Sequence, residues 1–245
     1  MSRNPTDRQT PAPRQNADAQ AKAPSSRGDI DAFLTRARTL APPVAPGQRG
    51  RLLFALDATM SRQPTWDTAC RLQGEMFREA GAVGGLDVQL VYYRGFDECR
   101  SSPWVSDTAR LRDLMSQIDV RGGHTQIAKI LRHARTETQK TKVQTLVFIG
   151  DAMEEKIDDL CAAAGELGML GVPVLMFQEG SDSVTEKAFR EIARLTRGAY
   201  CRFDQGAANT LAELLRAAAI YAAGGIRALE NANDRGARQL LEQLK

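Results

Sequence analysis

The sequence predicts an α/β fold: a Rossmann-like, doubly wound, mostly parallel six-stranded sheet with one short antiparallel edge strand and helices on both faces. Three observations carry this expectation. From Arg51 onward, short apolar runs alternate with segments of helical periodicity, the pattern of strands joined by crossover helices. Several runs, among them RLLFAL and VPVLMF, are apolar without interruption, as in strands covered on both faces. Finally, the five residues RGFDE separate two strand-like runs, which leaves room only for an antiparallel hairpin, and Pro103 suits the second run to a sheet edge.

The elements follow in order. Residues 1–27 are rich in Pro, Gln, Ser and Ala and contain no aromatic residue, so they are expected to form a disordered arm. Residues 28–49 hold a short amphipathic helix, with Ile30, Phe33, Leu34, Ala37 and Leu40 on one face, closed by the proline-rich linker APPVAPG. The domain proper is expected over 50–223. It opens with the strand RLLFAL and a helix over 66–81 that directs Ala69, Leu72, Met76 and Phe77 inward and ends at Gly81. The strand LDVQLVYY, the turn RGFDE and the short strand CRSSPWV come next. Helices over 107–118 and 125–138 flank the loop DVRGGHT. The strand VQTLVFIG, helix 156–170, strand VPVLMF, helix 183–197, strand AYCRF and helix 209–223 complete the series. Residues 224–245 read as a C-terminal helical extension whose Leu240, Leu241 and Leu244 suggest a second docking surface.

Charge and cysteine usage narrow the function. The formal charge of +3 resides in the arm, which holds five Lys/Arg and two Asp, so the remainder has no net charge from which to build a nucleic-acid face. No apolar run reaches bilayer-spanning length, and the N-terminus lacks the apolar core of a signal peptide, so a cytoplasmic protein is expected. Cys70, Cys99, Cys161 and Cys201 form no C-x-x-C pair and are expected to stay reduced.

The first buried strand ends abruptly in Asp57, followed by hydroxyl side chains at Thr59 and Ser61. Ligands of open parallel sheets gather at the carboxyl ends of the strands. Asp151 ends another long apolar strand, and Thr125 lies in the GGHT loop before a helix, so five oxygen-bearing side chains can converge on one rim. Two carboxylates and several hydroxyls, with no soft ligand, form a donor set for a hard divalent cation, Mg²⁺ with Mn²⁺ as its substitute. Met60, His124 and Glu154 would form the rim around it.

These pieces resemble the metal-ion-dependent adhesion site of von Willebrand factor type A domains, which reads D-x-S-x-S after the first strand, then Thr in a later loop, then Asp after the fourth strand. Asp57, Ser61, Thr125 and Asp151 match by position; Thr59 stands where the family usually has Ser, and Ala152 where it usually has Gly. The resemblance spans about residues 50–223. It implies a protein-binding module rather than an enzyme, with the cation completed by a partner's Asp or Glu, and an adaptor role beside an ATPase or chaperone complex.

Two other readings stand beside this one. LDATMS and FIGDAMEE also imitate a haloacid-dehalogenase-like phosphotransferase, with Asp57 as nucleophile and Asp151 with Glu154 or Glu155 on Mg²⁺; there Thr59 occupies the place of the usual second acid. A scaffold of the same fold without a working metal site would use Asp57 and Ser61 to cap a turn and Asp151 to cap the following helix. Glu154 and Glu155 are expected to begin that helix, His133 to be solvated, and Trp66 and Trp104 to serve packing.

Overall fold

The computed structural model describes residues 49–62, 66, 85–204 and positions 28, 212, 213, 215, 216, 218–220, 222 and 223. The expected arm, the linker helix apart from position 28, the helix over 66–81 beyond Trp66, and the C-terminal extension lie outside the described residues, as does Cys70. Among the described residues no helix is long and apolar enough to cross a membrane.

The elements are β1 (Gly50–Asp57), a single 3₁₀ turn (Met60–Arg62), β2 (Leu86–Arg94), β3 (Glu98–Ser101), α1 (Thr108–Ser116), α2 (Ile127–Lys140), β4 (Thr145–Gly150), α3 (Ile157–Met169), β5 (Val174–Glu179), α4 (Ser183–Leu195) and β6 (Ala199–Phe203). The six strands form one sheet in the order β3-β2-β1-β4-β5-β6. All neighbours run parallel except the hairpin β2–β3 at one edge. The expected fold class is therefore the observed one.

Alternation along the strands fills both faces. Leu52, Phe54 and Leu56 of β1, with Val147 and Ile149 of β4 and Leu175 and Phe177 of β5, point to the face that buries Leu111, Met115, Leu215, Ala218, Ala219 and Ala222. The intervening residues Leu53, Ala55, Leu146, Phe148, Val174 and Met176 meet α2, α3 and α4 on the other face. The described positions between 212 and 223 are helical, as expected for that segment. Trp66 packs in the first cluster and donates its indole N–H to the Ile118 carbonyl at 3.1 Å.

Two expectations need correction. The edge strand was expected to run to Val105 but ends at Ser101. Ser102 takes over the ladder, its hydroxyl accepting from Leu90 N at 3.0 Å, and Pro103 has no N–H to give. Pairing resumes as an isolated bridge between Val88 and Val105, displaced by one residue. His133 is half-buried rather than solvated: its Nε2 meets Gln89 Oε1 at 2.8 Å, and burial lowers its pKa.

Phe148 links the sheet to α4. Its ring stacks on Tyr93 at 6.2 Å between centroids and meets the Phe189 ring edge-on at 5.4 Å. Truncating it removes contacts on both sides. Phe148→Ala should lower the unfolding free energy by about 3–5 kcal/mol in urea titration with an unchanged slope.

Candidate metal centre

Strand order runs outward in opposite directions from the adjacent pair β1 and β4, so the crevice of this sheet opens at their carboxyl ends. Asp57 closes β1 and Asp151 follows β4 directly. The register Leu56↔Ile149 sets Asp57 level with Gly150. A side chain at Gly150 would put its Cβ 2.8 Å from the Phe148 ring and 3.5 Å from Asp57 Cβ, so glycine keeps this ground clear.

Four of the five expected ligands share one hydrogen-bonded cluster. Asp57 is fully buried; its Oδ1 accepts from Thr59 N at 2.8 Å and its Oδ2 from the Tyr93 hydroxyl at 2.9 Å. Thr59 Oγ1 and Ser61 Oγ are 3.0 Å apart, and Ser61 Oγ donates to Asp151 Oδ1 at 3.1 Å. The fifth, Thr125, sits on the neighbouring loop, its hydroxyl accepting from Glu154 N at 2.9 Å. That loop is held to the β1 turn by a bridge between Thr59 and Arg121 and by Arg121 N donating to the Ala58 carbonyl at 3.0 Å. It is also held to the hairpin, where His124 N donates to the Gly95 carbonyl at 3.2 Å. Gly123 permits this approach, because a Cβ there would fall 2.0 Å from the Gly95 oxygen.

The acids that follow Asp151 do not begin α3, whose N-cap is Lys156. They turn to the previous helix instead. Glu154 Oε2 accepts from Thr125 N at 3.0 Å and lies 3.3 Å from His124 Nδ1. Glu155 caps α2 from outside, with Ile127 N at 2.6 Å from Oε2 and Ala128 N at 3.0 Å from Oε1. The Gln126 side chain, at the N-cap position itself, makes no cap bond and instead donates to the Arg94 and Gly95 carbonyls. Thus the loops carrying Thr125 and Asp151 are joined as one body. Of the expected rim, Met60 is 55% exposed, and the His124 ring and Glu154 carboxylate are exposed as well. Phe96, 76% exposed, packs its ring against His124 at 5.2 Å and extends that rim.

Tyr93 was missed from sequence, and Glu155 was read as a start to the following helix or as a phosphotransferase Mg²⁺ ligand rather than as the cap of α2. The signal for Tyr93 was positional: it stands next to last in β2, level with Asp57, one strand over. Glu155 carried no signal distinguishing a cap on the preceding helix from a start to the following one.

Burial pushes the Asp57 carboxyl up to about 6; the Asp151 charge adds to this, while the hydrogen bonds from Thr59 and Tyr93 work against it. The Tyr93 phenol is itself pushed well up, by burial first and then by the Asp57 charge. Among the described residues no group of three His, Cys, Asp or Glu side chains is arranged to hold a metal ion. A cation here would therefore meet two carboxylates and neutral hydroxyls. That all-oxygen donor set fits Mg²⁺ or Mn²⁺, and a divalent charge offsets the burden of burying Asp57 as an anion.

The architecture is a VWA-like α/β fold. No protein-family model matches the chain, and no curated protein matches it. Among solved structures it is similar to a von Willebrand factor type A protein from Catenulispora acidiphila, at 17% identity over 70% of this chain and 43% of that one, with a TM-score of 0.57. It is also similar to the SpRpn10 VWA domain, at 12% identity over 64% of this chain and 88% of that one, TM-score 0.51. Proximal thread matrix protein 1 from the mussel byssus is 14% identical over 70% of this chain and 46% of its own, TM-score 0.58. At these identities the likeness is one of fold. The chain spans less than half the length of the first of these structures.

Two outcomes test the geometry. Glu155→Ala leaves the first N–H groups of α2 without their cap and should lower stability by about 1–2 kcal/mol, read by urea titration. The second concerns pH. Asp57 binds its proton more tightly folded than unfolded, so without metal the wild-type protein loses stability as pH rises from about 4 to 6. Asp57→Asn removes this loss. In chelator it should be more stable than wild type by roughly 2–3 kcal/mol at pH 8, with the difference vanishing near pH 4.

Proposed function

We propose that the chain is a protein-interaction module that binds an Asp or Glu of a partner protein through a Mg²⁺ ion, or Mn²⁺ in its place, held by Asp57, Thr59, Ser61, Thr125 and Asp151. The observation that carries this reading is the continuous run of polar atoms from Asp57 and Thr59 through Ser61 to Asp151 at the crevice of the sheet. When bound, the cation supplies the positive charge that a partner's carboxylate completes.

The chain's own residues do the rest. Asp57 and Asp151 contribute the negative charge. Thr59, Ser61 and Thr125 contribute oxygen without charge, which leaves the cation attractive to a further carboxylate. Asp57 is oriented by Thr59 N and the Tyr93 hydroxyl, so its oxygens are fixed before any cation arrives. Exposed Met60 and Phe96 offer apolar area beside the mouth, which lengthens the life of a contact centred on one carboxylate. An adaptor role beside an ATPase or chaperone complex and a place in the cytoplasm belong to this proposal.

The phosphotransferase reading asks Glu154 or Glu155 to hold Mg²⁺. Both oxygens of Glu155 accept N–H bonds from α2, and Glu154 accepts from Thr125 N. That arrangement favours the binding module.

Calorimetry with Mn²⁺ should give a saturable heat for the wild-type protein and none for Asp57→Ala. Equal heats for the two proteins would remove the metal site. A pull-down should then retain partner only without chelator, and Asp151→Ala should retain none in either condition.

A further inference from the structure

Arg62 is the largest fully buried side chain described, 1% exposed, and it follows directly on the hydroxyl motif. Its Nη1 lies 2.6 Å from Oε2 of Glu179, itself 7% exposed. Glu179 is the last residue of β5. Gln178 pairs with Gly150, so Glu179 stands level with Asp151. Because β4 lies between β1 and β5, the Arg62 side chain reaches from the turn after β1 past the end of β4. It therefore passes along the edge on which Asp57 and Asp151 sit.

Such a pair contributes little to stability, since the desolvation of two charges offsets their attraction, and apolar replacements of similar volume are often neutral or stabilising. Its effect here is geometric. The turn that carries Thr59 and Ser61 is closed locally, with Arg62 N donating to the Thr59 carbonyl at 3.1 Å. The bonds Thr59 N to Asp57 and Arg121 N to Ala58 hold it on the β1 side and the α2-loop side. The ion pair ties the turn towards β5 as well. The guanidinium also takes up the charge of a third carboxylate at the same edge, so the candidate ligand set keeps two.

We propose that the Arg62–Glu179 pair is a positioning element that sets the hydroxyls of Thr59 and Ser61 for the cation. This rests on the metal-site reading above, and the test separates the two.

Arg62→Met and Glu179→Met are introduced together, so that neither partner of this ion pair is left facing an apolar replacement of the other. The melting temperature should stay within about 5 °C of wild type. In chelator, amide hydrogen exchange at positions 59 and 62 should accelerate at least about tenfold, and Mn²⁺ affinity, read by electron paramagnetic resonance, should fall at least about tenfold. Exchange at the wild-type rate overturns the proposal whatever the Mn²⁺ result. Faster exchange with wild-type Mn²⁺ affinity overturns it too, and so does loss of the fold, which would make the pair part of the core. A wild-type protein that binds no Mn²⁺ removes the metal reading alone; faster exchange at an unchanged melting temperature then still supports the tether.

Discussion

β1 is hydrogen-bonded along both edges, to β2 on one side and β4 on the other, and this double pairing fixes the register of everything at the carboxyl edge. A slip of one residue would turn Leu52, Phe54 and Leu56 to the opposite face and exchange them with Leu53 and Ala55. The two faces bury different partners, so the register is held by the whole core. Asp57 is carried to its place by that register, beside Tyr93 on β2 and Gly150 on β4. A buried carboxylate is thereby forced on the fold at the one point where strand order reverses.

The loops around it are arranged to hold that carboxylate still. One backbone N–H and one phenol satisfy it, while the hydroxyls beyond it bond to one another and to Asp151. Glu154 and Glu155 join the Asp151 loop to the start of α2, which turns two separate loops into one rigid support. Groups held in place in this way would carry a lower ordering cost in any binding event at this edge.

Much of this was legible in the sequence because it depends on local composition. Continuous apolar runs marked β1, β4 and β5, and AYCRF matched β6 residue for residue. The abrupt end of RLLFAL in Asp57 marked the polar cluster at the carboxyl edge. What was not legible depends on contacts between distant segments. The early end of β3 follows from a serine hydroxyl replacing a backbone partner, which periodicity does not show. The role of Glu155 depends on a helix that precedes it by about thirty residues, and Arg62 read as one more basic residue until Glu179 stood opposite. His133 lay in a charged helical stretch, and only the packing of α2 on β2 reveals Gln89 as its neighbour.

The contact between Gly123 and Gly95 couples two stretches of chain that would otherwise vary freely. Hairpin turns at sheet edges commonly accept insertions, because nothing beyond them must move. Here the backbone of the turn is the floor on which the Thr125 loop rests. Lengthening the β2–β3 turn, or changing Gly95 from its left-handed conformation, would displace that loop and Thr125 with it. In divergent copies of such a chain, the length of an outlying hairpin and the placement of the Thr125 loop would change together.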